Sequence, residues 1–169
     1  TSVILAVQGL MSNVNTVKRL DPATGEVLQV LENSGLHVGF GASVAAAGGY
    51  VAVGLSAAYD SHEAVMVYKV DSVTGRLSWA FNVSENLAGD CYGCSIALTE
   101  THLVVGAQSQ FMNGGLYVYS MPTGALLWSN ISMGKVNYIG AAVAANSRYV
   151  AVSGTWYDLY SQGGIVFVM

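Results

Sequence analysis

The chain has 169 residues, a length that suits one domain or part of one. Apolar residues make up 53% of it and charged residues only 9%, which excludes an intrinsically disordered tail because disorder needs low hydrophobicity and high net charge. Six Lys and Arg residues against ten Asp and Glu residues leave no basic face, so we expect no nucleic-acid partner. Charged side chains are also too few to cover a soluble surface, so glycans, neighbouring subunits or the rest of a larger domain would have to cover it.

The first predicted strands lie within residues 2–31 and include a tight hairpin. Residues 21–29 contain a Thr-Gly pair, and Gly adopts the positive φ of such a turn without steric cost. The same Thr-Gly turn returns in residues 71–79 and 120–128, where the segments end in Trp79 and Trp128. The hairpin is therefore a repeated element.

A segment without charged residues follows, between Glu32 and Asp60. A membrane span needs about 20 predominantly apolar residues, and Gly48 and Gly49 interrupt this stretch. The same arrangement of two apolar segments also returns later in the chain, with polar residues at the positions of Gly48 and Gly49. We therefore predict paired strands here and no membrane span.

The pattern that begins at Phe40 occurs three times. An apolar residue is followed by Gly and small residues, and a second apolar segment begins ten residues after the first. The copies begin at Phe40, Tyr92 and Ile139, their second segments at Tyr50, His102 and Tyr149, and their third, β-branched segments cover residues 64–68, 115–119 and 164–168. The copies are 52 residues (40 to 92) and 47 residues (92 to 139) apart. Each segment has the composition of a short strand.

Together with the Thr-Gly hairpin, these segments make a unit of four strands, A to D. Four-stranded units at this period are typical of β-propeller blades. We predict an all-β fold with about fourteen antiparallel strands in one β-propeller-like domain over residues 1–169. Residues 36–86 and 87–133 form complete blades, and residues 1–35 and 134–169 form three-stranded ones. Because these blades do not complete a ring of roughly four to eight, we expect part of a larger propeller or an assembly that other chains complete.

The repeat resembles two known families. Phe-Gly-x-Ser-Val-Ala, Val-Ala-Val-Gly and Gly-Leu-Tyr-Val-Tyr resemble the FG-GAP repeats of integrin-α-like β-propellers, and Asp-x-x-Thr-Gly-x-x-x-Trp resembles the hairpin of quinoprotein-type blades. Integrin-like blades carry a calcium loop between strands A and B. The joins here, residues 46–49, 99–101 and 145–148, lack the oxygen ligands that calcium requires, so we predict no metal. The polar pocket of a quinone enzyme is also missing from the sequence, so we predict no cofactor and no catalytic residue.

Cys91 and Cys94 form a Cys-x-x-Cys motif at the start of a strand A. No βαβ pattern surrounds the pair to favour redox chemistry, and no second ligand pair is spaced for zinc. A local disulfide and two reduced structural thiols remain as alternatives.

Two N-glycosylation sequons begin at Asn82 and Asn130. They follow Trp79 and Trp128, at what we predict to be equivalent exposed loops after strand D. Two alternatives stay open: both asparagines carry N-linked glycans, or the sequons occur by chance.

Bulky apolar side chains gather in the predicted B-to-C loops and in the last strand. The loops contain Tyr59, Phe111, Met112, Trp156, Tyr157 and Tyr160, and the last strand contains Ile165 and Phe167. Exposed aromatic residues are typical anchors of interfaces, and an apolar edge strand invites another strand. The loop residues could equally pack between blades.

We therefore predict a non-enzymatic structural or adhesive module, secreted or at the cell surface, that forms a homo-oligomer, polymer or fibre by sharing edge strands. One alternative is a fragment of a larger ligand-binding propeller that resembles integrin-α heads. A second alternative is a propeller enzyme whose active site lies in blades outside this chain.

Overall fold

The structure, a computed structural model, describes residues 3–7, 16–32, 39–55, 64–85, 91–108, 114–130, 136–158 and 161–168. Within these ranges fifteen strands and no helix are present, and the strands form four antiparallel sheets. The predicted all-β fold is confirmed.

The sheets follow one another along the chain. Sheet 1 contains β1 (Val3–Val7), β2 (Thr16–Leu20) and β3 (Val27–Glu32), and sheet 2 contains β4 (Phe40–Ala47), β5 (Tyr50–Leu55), β6 (Ala64–Val70) and β7 (Leu77–Val83). Sheet 3 contains β8 (Tyr92–Leu98), β9 (His102–Ala107), β10 (Gly115–Ser120) and β11 (Leu126–Asn130). Sheet 4 contains β12 (Val136–Asn137), β13 (Val143–Ala145), β14 (Val150–Asp158) and β15 (Ser161–Val168). In sheets 1 to 3 each strand pairs with the strand that follows it, as in a meander.

The first strand of sheet 4 is divided in two, which is why the structure has one strand more than the sequence predicts. β12 pairs with residues 155–156 of β14, and β13 pairs with residues 150–152. Between them the chain turns, with φ 55° at Tyr138 and φ 90° at Gly140.

Sheets 2 and 3 contain the same turn without a break in the strand. The pairing register shifts after Phe40 and again after Tyr92, which marks a β-bulge in β4 and in β8. Gly41 and Gly93 have φ 87° and 84°, a conformation that Gly adopts at little cost. We call residues 39–41, 91–93 and 138–140 the bulge turns.

The Thr-Gly hairpins adopt the geometry that the sequence predicts. Gly25, Gly75 and Gly124 have φ 72°, 68° and 71°. Their amides donate to the carbonyl oxygens of Asp21, Asp71 and Ser120 at 2.8, 2.8 and 2.9 Å. Each hairpin joins the last two strands of its sheet.

The core consists of three apolar clusters, each between two successive sheets. Between sheets 1 and 2 the buried side chains are Val17, Phe40, Val51, Val53, Leu55, Tyr68 and Leu77. Between sheets 2 and 3 they include Ala52, Val65, Val67, Tyr92, Leu103, Val105, Tyr117 and Tyr119. Between sheets 3 and 4 they are Val104, Leu116, Ile139 and Val152.

Sheets 2 and 3 are therefore covered on both faces. In β5, Val51 and Val53 pack against sheet 1, whereas Ala52 between them packs against sheet 3. A strand covered on both sides has apolar residues in succession and no charged face. This burial accounts for the continuous apolar runs and for much of the low charge content.

Candidate interaction surfaces

Successive sheets are joined by a hydrogen bond that recurs at the bulge turns. The Ser43 hydroxyl in sheet 2 donates to the Gly93 carbonyl in the bulge turn of sheet 3 at 2.6 Å. The Ser95 hydroxyl in sheet 3 donates to the Gly140 carbonyl in the bulge turn of sheet 4, also at 2.6 Å. The bulge turns of sheets 3 and 4 are thus each fixed to the strand A of the preceding sheet.

A glycine next to each serine makes room for the bulge turn. A Cβ atom on Gly54 would overlap the Gly93 carbonyl oxygen and the Ser43 hydroxyl. A Cβ atom on Gly106 would overlap the Gly140 carbonyl oxygen and the Ser95 hydroxyl in the same way. We call each combination, Ser43 with Gly54 and Ser95 with Gly106, a serine–glycine pair.

Sheet 4 carries a different pair at these positions. Ala142 stands where the serine stands in sheets 2 and 3, and Ser153 stands where the glycine stands. The Ser153 hydroxyl oxygen accepts a hydrogen bond from the Ala142 amide at 2.8 Å, within sheet 4 itself. Sequence reasoning did not identify these residues, although the repeat places them side by side.

A tyrosine network crosses the interface between sheets 2 and 3. The Tyr92 hydroxyl donates to the Tyr119 hydroxyl oxygen at 2.6 Å, and the Tyr119 hydroxyl donates to Glu85 Oε1 at 3.1 Å. The rings of Tyr92 and Tyr117 meet edge to face, with centroids 5.3 Å apart. Burial raises the pKa of Tyr92 and of Tyr119 far above the ordinary value, so both hydroxyls stay neutral and serve as structural hydrogen-bonding groups.

The structure joins Cys91 and Cys94 in a disulfide, one of the two alternatives that the sequence leaves open. The Cys94 amide donates to the Cys91 carbonyl oxygen at 3.0 Å across the bulge turn. In sheet 2 the Ala42 amide makes the same bond to Gly39 at 3.0 Å without any cysteine. The backbone turn therefore does not depend on the disulfide.

The two sequon asparagines lie in strands, although the sequence predicts exposed loops. Asn82 is an exposed residue of β7, opposite Met66, and Asn130 is the half-buried last residue of β11, opposite Leu116. The outer strands run further than the turn residues indicate. Glycosylation at these asparagines stays a prediction.

Of the predicted interface residues, Tyr59, Phe111, Met112 and Tyr160 lie outside the described residues. The backbones of Trp156 and Tyr157 lie in β14, not in a loop as predicted, because β14 continues to Asp158 and pairs with β15 throughout its second half. Those of Ile165 and Phe167 lie in β15, as predicted.

The outer strands of sheets 1 to 3 carry exposed apolar side chains at sheet edges. Among the described residues β3, β7 and β11 each pair with one strand only. The exposed side chains are Val27, Leu28 and Val30 in β3, Trp79 in β7, and Leu126, Leu127 and Trp128 in β11. Trp79 is 61% exposed, which is high for an indole side chain.

A cavity of about 440 Å³ lies between sheets 1 and 2, beside Arg19, Tyr50 and Asp71. The Asp71 carboxylate is held in its turn, where it accepts hydrogen bonds from the amides of Thr74 at 2.7 Å and Val73 at 3.1 Å. The bonds from Thr74 are the main cause that lowers the pKa of Asp71.

No group of three or more His, Cys, Asp or Glu side chains in the described ranges is arranged to hold a metal ion. Within the same ranges no helix is long and apolar enough to cross a membrane.

Comparison with known proteins gives no family model and no curated protein that matches this sequence. The FG-GAP and quinoprotein resemblances therefore depend on the motifs quoted above.

Proposed function

We propose that this chain is a non-enzymatic structural or adhesive module of β-propeller blades, which associates with further copies of itself through its strand edges. The observation that carries the proposal is the row of exposed apolar side chains on β3, β7 and β11, at edges without a second pairing partner among the described residues. Unpaired strand edges offer backbone donors and acceptors to another strand. Large exposed apolar side chains beside such an edge add buried area to the contact.

The blade arrangement is supported by how successive sheets meet. The first strand of sheet 2, β4, contacts the first strand of sheet 3, β8, and β8 contacts β13 of sheet 4. Propeller blades place their first strands innermost and pack face to face around an axis. The recurrent serine–glycine pairs give two successive sheet contacts the same geometry, as a propeller requires.

A structural role is supported by the use of the polar side chains between sheets. The Gln29 side chain in β3 both donates to the Leu77 carbonyl oxygen and accepts from the Leu77 amide, each at 2.8 Å. Ser43 and Ser95 bond to backbone carbonyl groups, and Tyr92 and Tyr119 bond to each other. These groups hold sheets together and are already satisfied.

The proposed location is extracellular or at the cell surface, with N-linked glycans on the module. A disulfide such as that between Cys91 and Cys94 persists in oxidising compartments. Asn82 is exposed on an outer strand, where a glycan would help to cover a surface poor in charge.

The test is a chain with Trp79→Lys and Trp128→Lys, compared with wild type by size-exclusion chromatography with light scattering. Lysine on an edge strand opposes strand addition because pairing would bring its charge into the contact. We expect wild type to elute as oligomers or polymer and the double variant to elute mainly as single chains.

Val73→Lys is the matched control, since Val73 is 91% exposed but lies in a hairpin turn. It should assemble as wild type does. Circular dichroism verifies that all variants keep the β-sheet spectrum. Unchanged assembly of the double variant, or a wild-type chain that elutes alone at every concentration, would overturn the proposal.

A further inference from the structure

We propose that the exposed indole ring of Trp79 is the contact surface for the first sugar of an N-linked glycan on Asn82. Both residues belong to β7, the outer strand of sheet 2. The inference rests on the glycan that the proposed function includes, and it gives Trp79 a sugar-binding role within its own chain.

Trp79 and Asn82 lie on the same face of sheet 2. Trp79 lies directly opposite Tyr68 of β6. Asn82 lies directly opposite Met66, which precedes Tyr68 by two residues and therefore points to the same side. Strict alternation would place two residues that are three apart on opposite faces. The register shift beside Tyr68 leaves Ala80 as the extra residue of a β-bulge, and this bulge brings the two side chains to one side.

Sheet 3 repeats the arrangement with a different spacing in sequence. Trp128 and Asn130 are only two residues apart in β11, and they pair with residues that are two apart in β10. The bulge here is at Leu127, before the tryptophan instead of after it. In both sheets the place of the bulge thus puts a tryptophan next to the sequon asparagine on one face.

The surroundings of Asn82 leave room for a sugar over the indole. Trp79 is 61% exposed, and Asn82 is exposed beside it. Neighbouring positions on one face of a strand are about 7 Å apart, which a sugar ring bonded to the asparagine side chain can span. The face of an indole ring is apolar and carries a negative potential, so it attracts the weakly positive C–H groups of a pyranose ring. Packing of the sugar also removes apolar surface of the indole from water.

The glycan itself is attached by the glycosylation machinery of a secretory host. A lipid-linked sugar pyrophosphate is the donor in this reaction. A bond forms between C1 of the first sugar and Nδ2 of Asn82, Nδ2 loses one proton, and the lipid pyrophosphate leaves. Trp79 takes no part in this transfer and contacts the sugar in the folded product.

A sugar on Trp79 also regulates the proposed self-association. The proposed edge contact uses the exposed indole of Trp79, and a glycan that covers this side chain leaves less apolar surface on β7 for another chain. The glycosylated chain should therefore associate less strongly than the chain with Asn82→Gln, as measured by sedimentation velocity.

Thermal unfolding of dilute protein from a secretory eukaryotic host tests the sugar contact. Asn130→Gln is present in every chain, so that Asn82 begins the one remaining sequon. We expect the Asn82 glycan to raise Tm by about 2–4 °C relative to Asn82→Gln, and by less than about 1 °C when Trp79→Ala is also present. Trimming the glycan to one N-acetylglucosamine should preserve the effect. Trp128→Ala is the matched control and should leave the effect of the Asn82 glycan unchanged.

Proton NMR of the glycan gives a readout that does not depend on stability. The ring current of an indole shifts protons above its face upfield. Protons of the first N-acetylglucosamine should therefore resonate upfield of their ordinary positions, return to those positions with Trp79→Ala and keep part of the shift with Trp79→Phe. Circular dichroism verifies that each variant retains the β-sheet spectrum.

The outcomes separate this inference from the proposed function. An Asn82 side chain that stays unmodified overturns the inference together with the proposed glycan. A glycan whose effect on Tm and whose proton shifts are the same with and without Trp79 overturns the inference alone. A chain that carries the glycan on Trp79 but never associates, even with N82Q, overturns the proposed self-association and leaves the sugar contact standing.

Discussion

Tyr92 is a fully buried side chain, and its hydroxyl donates a hydrogen bond to the Tyr119 hydroxyl oxygen at 2.6 Å. Burial raises the pKa of Tyr92 above the ordinary tyrosine value of 10.0. The unfolded chain therefore ionises at this residue first. The contribution of Tyr92 to stability is fully present below about pH 10 and is lost as the pH rises further, because only the unfolded state then releases the proton.

We expect Tyr92→Phe to lessen the loss of stability in alkaline solution. Wild type should lose about 1 kcal/mol of unfolding free energy per pH unit above pH 10 through Tyr92, and the variant should lack this part of the alkaline loss. Urea unfolding at neutral and alkaline pH measures the difference. Tyr149→Phe is the control, since Tyr149 is 55% exposed and should leave the alkaline loss unchanged. An equal alkaline loss in Y92F and wild type would show that the buried hydroxyl is not responsible.

At the scale of the element, the close approach of the bulge turn to β5 depends on Gly54. The φ of Gly54 lies outside the left-handed region, so the backbone itself would accept another residue. The obstacle is the space, because a Cβ atom would overlap the Gly93 carbonyl oxygen. Overpacking of this kind typically costs about 1–3 kcal/mol.

Gly54→Ala should therefore lower the free energy of unfolding by about 1–3 kcal/mol, as measured by urea denaturation. Ser153→Ala is the matched control at the equivalent position of sheet 4, which already holds a Cβ atom. Its cost should stay at or below about 1 kcal/mol, because it removes only the exposed hydrogen bond to Ala142. If the two substitutions cost the same, the serine–glycine pair is not what fits the sheets together.

The strands and their order could be predicted from the sequence, because short β-branched and aromatic segments and Thr-Gly turns are local signals. The bulge turn at Gly140, which divides the first strand of sheet 4, could not be predicted as a break, since the same turn leaves β4 and β8 continuous. The positions of Trp156 and Tyr157 were also predicted wrongly. The Ser-Gln-Gly-Gly segment after them looks like a turn in sequence but pairs as the start of β15.

The contacts between sheets were less accessible to sequence reasoning. Ser43, Ser95 and Ala142 occupy one repeat position, and Gly54, Gly106 and Ser153 occupy another, so the exchange in the last repeat is visible in the sequence. What the sequence does not show is that the hydroxyl and the glycine meet the next bulge turn. That information depends on how two sheets pack, which is a tertiary property.

At the scale of the whole molecule, four sheets pack in series through three apolar clusters, and apolar side chains remain exposed at the outer edges. A chain with 9% charged residues has few charges to keep such surfaces apart. The proposed edge contact would bury part of this surplus of apolar surface. Self-association is thus the central claim.

Sedimentation velocity of the untreated wild-type chain across a wide concentration range tests that claim most directly. We predict boundaries that correspond to several chains, with larger species at higher concentration, and defined oligomers or filaments when the same samples are imaged in negative stain. A single boundary at the mass of one chain, unchanged at every concentration, would contradict the account.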